Sequence, residues 1–173
     1  MTTVVAVKIG DTVHMGGDTR TNGNGNIFKT DHKIKQVGPF LVGGAGDTFP
    51  LDTILYKWTP PKPTIKDYEI PYEFFVKKVV PSVKSAIDTA GFVKANDNGF
   101  EFLFAFNGEL YGIDDCWSVY LFIDHIGYVG TGGIAAASAL SGGASIEDAM
   151  GIAEKYDMNT HRPFTFLTQI KER

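Results

Sequence analysis

Thr2 and Thr3 directly follow Met1, and a small second residue such as threonine is what cytosolic methionine removal requires. With Met1 gone, Thr2 carries a hydroxyl and a free amine on one residue. An amine with an ordinary pKa of roughly 7.7–8.0 accepts a proton near neutrality, so nucleophile and general base come together. Many chains begin Met-Thr-Thr for no catalytic reason, so the pair needs other groups around it. Further polar and glycine-rich segments follow in order: Gly16-Gly17-Asp18-Thr19-Arg20, Lys33-Ile34-Lys35-Gln36-Val37, Val42-Gly43-Gly44-Ala45-Gly46-Asp47, Val129-Gly130-Thr131-Gly132-Gly133 and Asp157-Met158-Asn159-Thr160. Singly, each has a structural explanation: Asp18 caps a turn, Lys33 is one of several solvated lysines, Gly46 starts a helix.

Two other chemistries are weak. Gly130 to Ala135 satisfies the G-x-G-x-x-G/A pattern, but Ser141-Gly142-Gly143 leads into another helix instead of the parallel strand that a dinucleotide-binding unit needs. His14, His32, His125 and His161 have no metal-ligand spacing among themselves or with Cys116, and Asp114-Asp115 read as a strand terminus. No cofactor and no metal is implied.

The elements that must position these residues follow from periodicity. Thr3 to Ile9 is rich in β-branched residues, and Gly10-Asp11 separates it from Thr12 to Met15 as a tight hairpin requires. A polar loop spans Thr19 to Asn26, followed by short strands at Ile27-Phe28, Lys33 to Val37 and Phe40 to Val42. Leu51, Ile54, Leu55 and Trp58 recur at helical spacing, and Thr59 to Pro63 is a connection. A second helix, Tyr72 to Ala90, is bent or restarted at Pro81. Phe100 to Phe106, Leu110 to Ile113 and Trp117 to Ile123 are strands; Ile134 to Leu140 is a helix; Ser145 to Asp148 is a capping box opening a helix to Tyr156; Phe164 to Ile170 is the last strand. Strands, two helices, strands, two helices and a strand predict an α+β layer sandwich with helices on both outer faces.

At 173 residues, 43% hydrophobic and 21% charged, the chain reads as one domain, 1–173, with no segment near the roughly 20 apolar residues of a membrane span. Sixteen basic residues against twenty acidic, without a basic stripe, exclude an electrostatic footprint for nucleic acid. The absence of a signal-peptide pattern and the lone Cys116 predict a cytoplasmic protein.

In this order Thr2-Thr3 and the five segments resemble the proteasome β-subunit family and its bacterial relative HslV: N-terminal Thr-Thr, a Gly-Asp-x-Arg-like segment, a Lys-led strand, an Ala-Gly before the first helix, a Gly-Ser-Gly-like turn and an Asp-x-x-Ser-like segment. The similarity extends over nearly the whole chain. Thr131 and Thr160 replace the family's usual serines and keep the hydroxyl, and the loop before Lys33 is about one residue short. The resemblance implies a four-layer αββα sandwich of the Ntn-hydrolase type, two antiparallel sheets between helix layers. It implies Thr2 as nucleophile, Lys33 as a cation lowering the pKa of the nearby amine and hydroxyl, Asp18 holding Lys33, and the Gly46 N–H facing the oxyanion, where lack of a Cβ admits substrate. Thr131, Asp157 and Thr160 would orient the amine and a water.

The same resemblance implies a self-compartmentalised threonine endopeptidase, a homo-oligomer of stacked rings that takes unfolded polypeptide from an ATP-dependent unfoldase. Its substrate pocket would be lined by Thr21, Asp31, Lys35, Gly44, Thr48 and Asp52. Room beside Gly44 and a buried carboxylate near Asp52 would favour cleavage after basic residues, with Lys35 opposing. A catalytically silent, unprocessed ring subunit is the alternative that the sequence leaves open.

Overall fold

The structure, a computed structural model, describes residues 2–23, 26–29, 33–94 and 99–172. The chain opens with β1 (Val4–Ile9) and β2 (Thr12–Gly17), an antiparallel hairpin turned at Gly10, whose φ of 61° suits glycine. Within the stretch read as a polar loop, Arg20–Gly23 forms a strand, β3, paired antiparallel with β4 (Asn26–Lys29), which contains the predicted Ile27-Phe28 strand. Next come β5 (Ile34–Val37), β6 (Phe40–Gly46) and α1 (Thr48–Tyr56), whose first turn is capped by the Asp47 carboxylate accepting from the Phe49 N–H.

The second helical region differs from its prediction. A short α2 (Ile65–Glu69) precedes it, with the Thr64 N–H and hydroxyl both donating to Asp67. The long helix is α3 (Pro71–Phe74) and α4 (Val80–Thr89), joined by a widened turn over Phe75–Val79 in which the Val80 N–H reaches back to the Phe75 carbonyl. The irregularity thus precedes Pro81: the proline ring crowds the carbonyl four residues back, and widening the preceding turn relieves it.

The remainder is β7 (Phe100–Phe106), β8 (Glu109–Asp114), β9 (Val119–Leu121), β10 (Ile126–Val129), α5 (Gly133–Ser141), α6 (Ile146–Tyr156) and β11 (Thr165–Ile170). The strand predicted from Trp117 is shorter because the Asp114 carboxylate accepts from the Cys116 and Ser118 N–H groups, turning the chain with Trp117 at φ 66°. Of the capping box predicted at Ser145, the N-cap half forms: its hydroxyl accepts from the Asp148 N–H, while the Asp148 carboxylate accepts from that hydroxyl.

Strand order is β10-β1-β2-β11 in one sheet and β5-β6-β7-β8-β9 in the other, with every pairing antiparallel. Three buried clusters show how the layers stack. Val4, Ala6, Met15, Leu41, Leu103 and Ala105 meet between the sheets. Their strand neighbours, a residue on, face outwards: Phe40, Val42, Phe102, Phe104 and Phe106 pack under α1, α3 and α4 with Trp58, Phe74 and Phe75, whereas Val5 packs under α5 and α6 with Ala136, Leu140 and Met150. Period-two alternation thus supplies both faces of each sheet, producing the αββα order.

Candidate active site

The β1–β2 register puts Val4 opposite Gly17 and carries Thr3 opposite Asp18. The two residues bond twice, Thr3 N–H to Asp18 Oδ1 at 2.9 Å and Asp18 N–H to the Thr3 carbonyl at 3.0 Å. Lys33, just before β5, donates its ammonium to the same Oδ1 at 2.8 Å and to the Arg20 carbonyl. Oδ2 accepts from the Arg20 N–H at 3.0 Å and the His161 N–H at 3.4 Å. The Lys33 and Asp18 side chains are 3% and 0% exposed, so each charge depends on the other for compensation. Burial pushes the Lys33 pKa down from its ordinary value of 10.5; the Asp18 charge opposes this and the Arg20 cation adds to it, and the balance stays downward.

A second carboxylate lies across the Thr2–Thr3 segment. Asp157, just past α6, accepts at Oδ2 from the Thr160 hydroxyl at 2.7 Å and the Thr131 hydroxyl at 3.0 Å, and at Oδ1 from Asn159 Nδ2 at 3.2 Å. Burial pushes this carboxyl up, but the bonds from Thr160, Thr131 and Asn159 outweigh it and hold the pKa below 3.8. Thr160 Oγ1 is also 2.5 Å from Thr3 Oγ1. A carboxylate only accepts and a hydroxyl has one proton, so Thr160 donates to Asp157 and accepts from Thr3. Thr3 therefore links both carboxylates, through its N–H to Asp18 and its hydroxyl to Thr160.

The turn after β10 closes over these threonines. Gly130 has φ 85°, and a Cβ there would sit 2.1 Å from the Thr2 carbonyl; one on Gly132 would sit 2.0 Å from Thr3 Oγ1. Glycine is required at both positions by close approach. Asp18, Lys33, Thr131, Asp157 and Thr160 thus gather around Thr2 and Thr3. Met1 lies outside the described residues.

Gly46 ends β6 with φ 98°, and a Cβ would meet the Gly99 carbonyl at 2.2 Å. The need for glycine there comes from the neighbouring chain, where the sequence suggested substrate approach. The predicted pocket is revised more strongly. A Cβ on Gly44 would lie 2.8 Å from Leu51 and 2.9 Å from Phe102, so the room has been taken by α1 packing on the sheet. Asp52 is exposed on α1, contrary to the expected buried carboxylate, and Lys35 lies 3.9 Å over the Tyr56 ring. Thr48 is exposed, Thr21 is partly buried on β3, and Asp31 lies outside the described residues.

Sequence reasoning missed the hydroxyl of Thr3, Asn159, the backbone groups of Arg20 and His161, and Glu101. Glu101 accepts from the Gly130 N–H at 3.4 Å. It shares its strand face with Leu103 and Ala105 of the inter-sheet core, and a charge on that face was the available signal.

No family model matches the sequence, and no curated protein does. Solved structures do. The chain is similar to Thiobacillus denitrificans BPH in complex with epoxomicin (14% identity, 99% of this chain and 100% of that one, TM-score 0.78). It is similar to eukaryotic HslV from Trypanosoma brucei (19% identity, 97% and 99%, TM-score 0.67) and to Anbu, an ancestral beta-subunit, from Yersinia bercovieri (15% identity, 97% and 81%, TM-score 0.70). The fold is proteasome β-subunit-like and HslV-like. The four-layer prediction is thereby borne out. Among the described residues, no helix is long and apolar enough to cross a membrane.

Proposed function

We propose that the chain is an N-terminal threonine endopeptidase that hydrolyses unfolded polypeptides once Met1 has been removed. The observation that carries this reading is the enclosure of Thr2 and Thr3 between the Lys33–Asp18 pair and the Asp157 hydroxyl cluster. In this mechanism the Thr2 amine takes the hydroxyl proton while Oγ attacks the substrate carbonyl carbon. The Lys33 ammonium favours the developing oxygen anion and disfavours a protonated amine beside it. The Gly46 N–H stabilises the oxyanion. The C–N bond breaks, the amine product leaves with the proton, and water hydrolyses the threonine ester with the amine again as base. Thr131, Asp157 and Thr160 hold the N-terminal segment in register.

The fold also supports proposing a cytoplasmic homo-oligomer of stacked rings served by an ATP-dependent unfoldase. Intact mass before and after incubation with an epoxyketone, which needs both the hydroxyl and the free amine, tests the central claim. The expected result is loss of Met1 and one adduct per chain, abolished by Thr2→Ala. Retained Met1 without adduct sinks the peptidase reading and leaves the silent ring subunit.

A further inference from the structure

Thr2 lies at an end of the sandwich with two unlike sides. On one side of β1 and β6 stand β2 and β5, with Asp18, Lys33 and Lys35; on the other stand β10, β7 and β8. There a cavity of about 430 Å³ opens from the Gly130-Thr131 turn between the sheets' edges. Tyr120, Phe122, Tyr128 and Ile134 wall it, and its charged lining residues are the carboxylates Glu101 and Asp114, with no cation among the lining residues. The walls are fixed by missing side chains: a Cβ on Gly133 would lie 2.7 Å from the Tyr128 ring and one on Gly127 3.2 Å from Phe122.

The carboxylates are not equivalent. Asp114 accepts from the Cys116 and Ser118 N–H groups and from the Tyr120 hydroxyl, so its charge is absorbed by its own turn. Glu101 has a single long bond from Gly130 and is exposed beside the aromatic walls. It also pairs across the sheet with Ala45, the residue before Gly46. A carboxylate at the rim of an aromatic-walled cavity is complementary to an ammonium or guanidinium on an apolar stem.

We propose that this cavity is a substrate subsite that receives a basic side chain, lysine or arginine, from the leaving-group side of the scissile bond, with Glu101 as its counter-charge. The proposal rests on the peptidase reading above. A polypeptide stretched over Thr2, with its acyl side towards β5 and α1, leads its other side past Gly130 into the cavity. The basic preference that the sequence placed near Asp52 thus moves to the opposite side of the nucleophile.

The test uses internally quenched peptides with Arg, Leu or Glu at the first two positions after the cleaved bond, assayed on the full processed protein and on Glu101→Gln. The wild type is expected to favour Arg over Leu by about five- to tenfold in kcat/KM, the size of one partly exposed ion pair with a cation–π contact, and Glu last. In Glu101→Gln the Arg-to-Leu ratio should fall towards one. A binding arm needs no catalysis: saturation-transfer NMR should detect argininamide more strongly than leucinamide on the wild type, and Glu101→Lys should abolish the difference. Active protein with equal ratios in wild type and Glu101→Gln, or a Leu preference in both, overturns the subsite and leaves the peptidase standing. Loss of epoxyketone labelling overturns the peptidase, and argininamide binding that depends on Glu101 then still identifies the cation-binding cavity.

Discussion

Asp18 and Asp157 flank the same two threonines and are held by opposite means. Asp18 is fully buried against an ammonium and three backbone N–H groups, those of Thr3, Arg20 and His161, the first placed by the β1–β2 register. Asp157 is half-buried and held mainly by two hydroxyls and a carboxamide, neutral side chains that rotate, with one backbone N–H from Asn159. The first arrangement fixes a charge in low dielectric, where loss of one partner strands the other. The second spreads one charge over several modest bonds, where single losses are partly absorbed by water.

The largest break in this comparison is therefore at Lys33. Lys33→Ala leaves Asp18 buried and unpaired, with an expected cost of about 3–5 kcal/mol in stability. It should also lower kcat/KM by about 10²–10³-fold, the range for losing one preorganised electrostatic stabiliser. The double variant Asp18→Leu/Lys33→Met separates the roles: thermal melting should recover much of the lost stability, because apolar replacements of buried ion pairs are often neutral, while activity stays lost. Recovered activity in that variant would refute the assignment of the pair to catalysis.

Asp157→Asn ranks second. It should lower kcat/KM about 10–100-fold, a smaller effect because Lys33 and Asp18 are untouched, and destabilise by about 1–2 kcal/mol. The pH dependence sharpens the contrast, since the two groups act at opposite ends. The folded Asp157 pKa lies below 3.8, so its contribution is complete above 3.8 and disappears as the pH falls through the folded value. Asp157→Asn should flatten that acid limb. The folded Lys33 pKa lies below 10.5, so the penalty for burying its charge is greatest below the folded value and is relieved as the pH rises towards 10.5. In the double variant that alkaline rise in stability should be absent. Denaturant midpoints measured across pH would read both limbs.

What the sequence disclosed follows the same division. The Gly10-Asp11 hairpin, the strand alternation and the Ser145 cap are local, and the hairpin carries Asp18 to Thr3 by register alone. Lys33, Asp157 and Thr160 were legible because their segments resemble a family in order. The contact between Thr3 and Thr160 spans 157 residues and depends on how two layers meet, which no local spacing encodes. Gly44 shows the limit most sharply: an absent side chain reads equally as room for a ligand or room for a helix, and Leu51 decided it. The widened turn at Phe75–Val79 was displaced from its cause at Pro81, because strain from a proline is relieved in the turn before it.

Thr160→Val tests the bridge between the two carboxylates. The valine keeps the volume but removes the proton given to Asp157 and the oxygen that accepts from Thr3, at a cost of about 1–2 kcal/mol. If the bridge positions Thr2 through Thr3, kcat should fall about tenfold with KM little changed, and Thr160→Ser should restore kcat. Equal kcat in the valine and serine variants would reduce the bridge to packing.

The smallest effects separate hydroxyl from methyl. Thr160→Ser removes a methyl from a residue 1% exposed and should cost about 0.8 kcal/mol, the worth of a buried carbon, with activity within about twofold. Thr131→Ser removes one from an exposed residue and should leave both melting temperature and kcat/KM nearly unchanged. A large loss of activity in Thr131→Ser would mean that its methyl orients the hydroxyl on Asp157. The turn after β10 would then join Asp18 as a fixed support, and the rotating set would shrink to Thr160 and Asn159.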